Sequence, residues 1–174
     1  DAPSRKYAYI DMSSNGMSLT QLPQINRRFF GYLRKLSLAG NELECLDFDV
    51  LSRLTNLLDL DASDNKIEVL YGTPPAQLQR LDLSGNSLKE VSTLAGASGL
   101  RDLFVQKNNL GSLHGLPTLA LERIDASDNQ LAGHITLRML SVCTKLASVS
   151  IGGNPVCQSV PQWKFKLMSF LPRL

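Results

Sequence analysis

The residues of this chain that could do chemistry are aspartates and asparagines in short recurring strings. The string DASDN ends at Asn65 and again at Asn129, and DLSGN ends at Asn86. Carboxylate and amide oxygens bind hard cations, so a metal site is one interpretation. Only two histidines are present, and there is no glycine-rich phosphate loop, zinc-ligand spacing or nucleophile elbow. We therefore predict no catalytic residue, and the asparagines need another explanation.

The asparagines close a pattern, LxxLxLxxN, that recurs seven times. The copies begin at Tyr7, Leu33, Leu57, Leu78, Leu100, Leu121 and Leu146, and they end at Asn15, Asn41, Asn65, Asn86, Asn108, Asn129 and Asn154. Within a copy, apolar residues such as Leu81 and Leu83 alternate with polar ones, which predicts a strand. We expect each asparagine at the turn after its strand, where its amide pairs with backbone groups. Because that role occupies the amide, we predict a structural ladder of asparagines and no metal site.

One copy cannot bury its apolar face alone, so neighbouring copies must stack to form the core. The sequence thus predicts an α/β solenoid, curved and right-handed, with a concave parallel sheet and about seven repeats. The longer connections, around residues 48–54 and 137–143, suit convex helices of about two to three turns. For the shorter connections near residues 88–94 and 110–116 we predict 3₁₀ or irregular turns.

These residues resemble the leucine-rich repeat, whose period is roughly 20–29 residues. The regular middle is similar to the intracellular class with roughly 22-residue repeats. That class occurs in a regulatory subunit of type-1 protein phosphatase, a spliceosomal snRNP protein and an axonemal dynein light chain. The stretch GNPVCQSVPQWKFKLMSFLPRL looks like the terminal cap of these proteins, in which a GNP turn leads into a helix and then LPxL. The chain has WKFK where the family has an aromatic–arginine pair. The resemblance implies the fold and a binding role, and leaves the partner open.

The cap would close the open end of the core. Ser159 and Pro161 are predicted to start its helix. The apolar side chains that would cover the last repeat are Val160, Trp163, Leu167, Met168 and Leu171. We divide the chain into a disordered flank (1–6), the repeats (7–156) and the cap with the start of a further LxxL segment (157–174). We expect the natural protein to continue beyond it.

Cysteine usage and glycosylation signals indicate the compartment. The three cysteines, Cys45, Cys143 and Cys157, are widely spaced and odd in number, and we expect them to be small core residues. There is no Asn-x-Ser/Thr sequon and no apolar run of the ~18–20 residues that would cross a bilayer. Together these features favour a reducing compartment. We expect an intracellular, cytoplasmic protein, with association with the cytoskeleton as one option.

The outward residues of the strands are where we place function. Between Leu57 and Asn129 they include eight acidic side chains and four basic ones, in a chain of net charge +2. Such a face would steer a basic partner, and a solvated face of ordinary aspartates is an equal alternative. Phe104 interrupts the row, and exposed aromatics among charges anchor interfaces; packing against Lys107 is the alternative. The predicted partner-binding residues are Phe104, Asp59, Asp61, Arg80, Asp82, Asp102, Arg123 and Asp125.

The stretch INRRFFGYLRK mixes basic and aromatic residues, as RNA-binding surfaces do. We favour a core role for its apolar members, Ile25, Phe29, Phe30 and Tyr32. The leading hypothesis is a non-catalytic interaction module without a cofactor, in a larger cytoskeletal, ciliary or signalling protein. It would bind a basic and apolar peptide or helix of a protein partner. The alternative is a substrate-recognition or regulatory domain of an enzyme, of the phosphatase-regulator or ligase type. The acidic face disfavours nucleic acid, and the oligomeric state stays open.

Overall fold

The predicted repeats form one parallel sheet. The structure, a computed structural model, describes residues 9–16 and 31–171. Its strands, in chain order, are β1 (Tyr9–Asp11), β2 (Lys35–Ser37), β3 (Cys45–Asp47), β4 (Asp59–Asp61), β5 (Val69–Tyr71), β6 (Arg80–Asp82), β7 (Asp102–Phe104), β8 (Arg123–Asp125) and β9 (Ser148–Ser150). Seven of them pair in parallel in the order β1-β2-β4-β6-β7-β8-β9. The predicted α/β solenoid is confirmed.

The core lies on one side of this sheet, because every strand repeats the same alternation of side chains. Leu60, Leu81 and Leu103 are the central residues of neighbouring strands; they stand in register and are fully buried. Leu78 and Leu83, before and after one of these strands, are fully buried as well. Burying each such side chain contributes ~1.5–3 kcal/mol. Since each repeat contacts its neighbours, this stabilisation depends on the stack and not on any single copy.

A second parallel sheet, which was not predicted, lies in the connections after the second and third copies and has two strands. In it β3 pairs with β5, and Leu46 stands opposite Leu70. Both leucines are buried, whereas Val69 and Tyr71 are exposed. The signal was the alternation in LECLDF and IEVLYG, with a leucine five residues after each asparagine.

The connections differ in helical content. The first helix, α1 (Phe48–Leu51), is a single turn that starts where Asp47 accepts a hydrogen bond from the Asp49 N–H. It begins where predicted but ends after one turn at Leu51, and Leu54 is buried in the turn that follows. The 3₁₀ helix Ser92–Gly96 and the longer helix α2 (Gly133–Ser141) agree with the prediction.

The C-terminal segment forms two helices and not one. After the GNP turn comes α3 (Val156–Ser159), and α4 (Trp163–Phe170) follows and packs against α2. The prediction that Ser159 and Pro161 start a single helix was wrong. Ser159 ends the first helix, and the chain turns through Gln162, whose φ is 55°, before the second begins.

The burial of the cap follows helical spacing. Leu167 and Leu171, four residues apart, are buried, as is Val160, and Trp163 is half-buried against the core. Met168 is 56% exposed, so its predicted place in the core was wrong. The residue after Leu167 points about 100° away around the helix, and in α4 this direction faces away from the core.

Tyr32 and the three cysteines were also predicted to lie in the core. Tyr32 is 57% exposed, so its predicted core role was wrong; the next residue, Leu33, takes the inward position. Of the cysteines, Cys143 is buried, while Cys45 and Cys157 are half-buried. Several predictions lie outside the described residues, namely those for the flank 1–6, Tyr7, Ile25, Phe29, Phe30 and residues 172–174.

Candidate functional site

Buried asparagines are held by backbone groups of two successive repeats. The Asn86 Nδ2 donates to the carbonyl of Leu83 in its own repeat and to that of Ala62 in the preceding repeat, both at 3.0 Å. Its Oδ1 accepts from the Ile67 N–H at 2.9 Å. Side-chain bonds of the same kind are formed by Asn41, Asn65, Asn108, Asn129 and Asn154. At the first copy, the backbone N–H of Asn15 donates to the Asn41 Oδ1. Within residues 9–16 and 31–171, no group of His, Cys, Asp and Glu side chains could hold a metal ion.

The residue before each asparagine has a left-handed backbone. Its φ lies between 52° and 72° at all seven positions, which are Ser14, Gly40, Asp64, Gly85, Lys107, Asp128 and Gly153. This conformation costs a residue with a side chain ~1–2 kcal/mol, so the glycines are the relaxed members. A Cβ atom added to Gly85 would also collide with the carboxylate of Asp64 in the neighbouring repeat.

The exposed face of the large sheet has two rows of side chains, from the first and the third residue of each strand. The first row is Tyr9, Lys35, Asp59, Arg80, Asp102, Arg123 and Ser148. The second row is Asp11, Ser37, Asp61, Asp82, Phe104, Asp125 and Ser150. All eight predicted partner-binding residues therefore lie on one face.

Opposite charges alternate along the first row. Asp59 lies 3.1 Å from the Lys35 Nζ and 3.4 Å from the Arg80 Nε, and Asp102 lies 3.8 Å from the Arg123 Nε. Exposed pairs of this kind contribute about 0–1 kcal/mol each. The predicted row of aspartates is thus interleaved with cations, and part of its charge is neutralised.

In the second row, four aspartates are each followed two residues later by a serine. The Ser84 hydroxyl and N–H both donate to Asp82 Oδ1, at 2.6 and 3.1 Å. The same pairing occurs at Asp11, Asp61 and Asp125. At Asp11 the hydrogen bonds from Ser13, the hydroxyl first, lower the carboxyl pKa below its ordinary value. One oxygen of each carboxylate is therefore occupied by its serine, and at Asp82 the other oxygen accepts from Arg80.

Phe104 breaks this pattern, and the structure gives it an unforeseen neighbour. Its half-buried ring lies under the Arg80 guanidinium, 4.3 Å from the ring centroid. The same guanidinium bonds to Asp82 at 3.2 Å and approaches Asp59. The alternative considered from the sequence was packing against Lys107, a neighbour along the chain. The observed contact is instead diagonal, between residues of two adjacent strands.

Gln106 is a second departure in the same repeat. It stands two residues after Phe104, where four other copies have the serine of the Asp–Ser pair. Its Oε1 is buried and has no hydrogen-bond partner among the described residues. Sequence reasoning missed this residue, although the loss of the serine was a visible signal.

The comparisons with known proteins agree with this geometry. A model of the family described as Leucine Rich Repeat matches residues 77–96. A crystal structure of a TLR13–ssRNA13 complex matches 84% of the chain at 25% identity, with a TM-score of 0.68. The leucine-rich repeat domain of APL1 matches 61% at 29% identity, with a TM-score of 0.55. The chain is a leucine-rich repeat protein.

An internalin (inlF) from Listeria monocytogenes str. 4b F2365 shares the fold of this leucine-rich repeat protein, with a TM-score of 0.54 over 80% of the chain at 20% identity. The chain spans 22% of the TLR13 chain, 29% of the APL1 chain and 46% of the internalin chain. No curated protein sequence matches it.

The leucine-rich repeat fold is typical of modules for protein–protein interaction, and such domains are generally binding modules and not catalysts. A bilayer-spanning helix would have to be longer and more apolar than any helix within residues 9–16 and 31–171.

Proposed function

We propose that the exposed sheet face binds a protein partner through a peptide or helix with basic and apolar side chains. The observation that carries this proposal is Phe104. The other six residues of its row are aspartates or serines. An aromatic ring in the middle of a polar face offers an apolar side chain of the partner a contact from which water is excluded.

Arg80 prepares this contact before the partner arrives. Its guanidinium is held by Asp59 and Asp82 and stacks on the Phe104 ring. Side chains that are already ordered lose little conformational entropy on binding. Arginine and aromatic residues are also the types most enriched at the energetic centres of interfaces.

The remaining charge supports a basic partner. The two rows contain six acidic residues and three basic ones. Within the described residues, Asp61 and Asp125 form no ion pair, and they lie on either side of the Arg80–Phe104 pair. Lysine or arginine side chains of a partner would meet unpaired carboxylates there, with an association rate that falls as salt is added.

RNA is the ligand named with the TLR13 structure, and it fits this face less well. Nucleic-acid binding rests on contacts between cationic side chains and phosphates, whereas the two rows have twice as many acidic as basic residues. A protein partner is therefore our proposal.

We further propose a wider setting for this interaction: a larger cytoskeletal, ciliary or signalling protein in the cytoplasm. The three free cysteines are consistent with a reducing compartment. The alternative, a substrate-recognition or regulatory domain of an enzyme, uses the same face. The partner that co-purifies with the chain decides between them.

The experiment is capture of a partner by proximity labelling or co-purification, followed by affinity measurements on variants. Phe104→Ala should weaken binding by ~2 kcal/mol, about thirtyfold, because it removes the apolar anchor. Asp61→Arg should weaken it further through repulsion of the basic partner.

Matched controls change an aromatic and an acidic side chain that lie in the connections and not on the sheet face. Tyr71→Ala removes an exposed aromatic side chain, and Glu68→Arg reverses an exposed charge. Both controls should bind as the parent does, and all variants should keep its melting temperature. Binding that survives Phe104→Ala and Asp61→Arg, or that the controls impair equally, would overturn the assignment to this face.

A further inference from the structure

The C-terminal part of the solenoid is free of acidic residues. From residue 129 to residue 174 the sequence contains no Asp or Glu and five Lys or Arg residues, whereas all 16 acidic residues precede it. The connection at residues 103–121 also has no acidic residue. These two segments carry a net positive charge, as do residues 12–41, which contain no acidic residue either.

The structure brings the two segments together along a groove of about 360 Å³. One wall is the connection after the fifth copy, with Leu113 and Leu116 buried in it. The other wall is α2, which presents Ile135, Met139 and Val142. The walls are joined by a contact of 3.5 Å from the Ser112 Oγ to the Met139 Sδ.

The α2 wall has an apolar stripe that is partly exposed. Ile135, Met139 and Val142 follow the four- and three-residue spacing of one helix face. Ile135 and Val142 are each 57% exposed, so the stripe offers apolar surface beside the groove. Arg138 lines the same groove, is exposed and has no ion pair within the described residues.

We propose that this groove is a second interaction site, which takes a peptide segment with a bulky apolar side chain next to Asp or Glu. The apolar side chain would enter between Leu116 and Met139, and the partner's carboxylate would pair with Arg138. Lys164 and Lys166 on α4, the helix that packs against α2, would add long-range attraction. The partner is thus opposite in charge to the one proposed for the sheet face.

The groove favours a peptide over an anionic membrane, because a recess receives a discrete side chain, whereas a lipid surface contacts protruding ones. It also favours a partner over a second copy of this chain. Six of the 16 acidic residues of another copy lie on its sheet face, where Asp59, Asp82 and Asp102 are already paired with cations.

The test is selection of a displayed library of random peptides on the full chain, with the enriched peptides sorted by net charge. Acidic peptides with a bulky apolar residue should be enriched. Their affinity should fall at least about tenfold in Ile135→Ser and in Arg138→Glu, and should stay unchanged in Phe104→Ala. Lys89→Glu, an exposed charge reversal outside the groove, is the matched control for Arg138→Glu.

Melting curves of each variant establish that the fold is kept, which we expect because Ile135 and Arg138 are exposed. Enrichment of no acidic peptide, or acidic peptides whose binding ignores both groove variants, would overturn the proposal. A chain that binds no acidic peptide but sediments with phosphatidylserine vesicles would also overturn it. If Arg138→Glu abolishes that sedimentation, the site is assigned to membranes. Self-association that the same variant abolishes would assign it to a second copy. Loss of the peptides in Phe104→Ala alone would place them on the sheet face and would likewise overturn the groove proposal.

Discussion

The fourth and fifth copies, residues 78–86 and 100–108, have the same backbone and different exposed chemistry. Both place their leucines in the core, both end in a buried asparagine with the same hydrogen bonds, and both have a left-handed residue before it. They differ where side chains face outward. The Asp82–Ser84 pair of the fourth copy is replaced by Phe104 and Gln106 in the fifth.

Each nine-residue unit therefore contains two sets of residues with different roles. The inward residues and the asparagine meet the same surroundings in every copy, so a polar inward residue or a lost asparagine would disturb the stacking. The outward residues contact solvent and can change freely, so a departure there is informative about binding. Each prediction below tests one side of that division.

The largest effect should come from the ladder, and it should be equal in the two copies. Asn86→Ala and Asn108→Ala each leave several buried backbone groups without partners. We expect each to lower the free energy of unfolding by ~3 kcal/mol, measured by urea denaturation. A loss below about 1 kcal/mol in either variant would mean that water replaces the amide.

The next effect should be on binding alone. The double change Phe104→Asp with Gln106→Ser converts the fifth copy to the fourth and restores an Asp–Ser pair. We expect a loss of ~2 kcal/mol in the affinity for the captured partner, with no loss of stability, by titration calorimetry and thermal melting. The reverse exchange, Asp82→Phe with Ser84→Gln, is the control. A partner that still binds the first double variant at full strength would contradict the anchor role of Phe104.

A smaller pair of effects should have opposite signs in the two copies. Gly85→Ala should destabilise the fold by ~2 kcal/mol, because alanine disfavours φ +64° and its methyl collides with Asp64. Lys107→Gly should stabilise it by up to ~1 kcal/mol, because the lysine adopts φ 56° at a steric cost. The loss caused by Gly85→Ala should be smaller when it is measured in an Asp64→Gly background, which lacks the carboxylate and tolerates the left-handed backbone at residue 64. If Gly85→Ala and Lys107→Gly change the free energy of unfolding in the same direction in chemical denaturation, this explanation is refuted.

The smallest effect concerns the Asp–Ser pairs that the fifth copy lacks. The Ser13 hydroxyl and N–H lower the pKa of Asp11 in the folded chain. A lowered folded-state pKa stabilises the fold above the unfolded pKa, and this contribution is lost as pH falls through the folded value. NMR titration should show the Asp11 pKa moving up toward its ordinary value in Ser13→Ala. An unchanged pKa would show that the hydroxyl does not set it.

Most of the scaffold was predictable, because its signals are local. The spacing of leucines within nine residues sets which side chains enter the core, so seven strands followed directly. The second sheet was missed because its two strands, around Leu46 and Leu70, lie outside the nine-residue pattern that recurs seven times. Met168 was misplaced because two adjacent helix residues, it and Leu167, were both assigned to the core.

Less of the candidate sites was predictable. Phe104 stood out in the sequence because its neighbours in the row are polar. Its contact with Arg80, however, joins residues 24 positions apart on neighbouring strands, and Gln106 was missed altogether. The groove beside α2 likewise joins two segments that belong to different repeats.

The amino-acid sequence alone determined the repeat, the strands, the role of the asparagines and the absence of acidic residues in the C-terminal part, since each is a matter of residue type and period. The tertiary structure decided which charges pair, what lies on the Phe104 ring and where a groove opens beside Ile135. The physical reason is that stacking sets side chains of successive repeats within a few ångströms of each other, at a register that depends on how every connection folds.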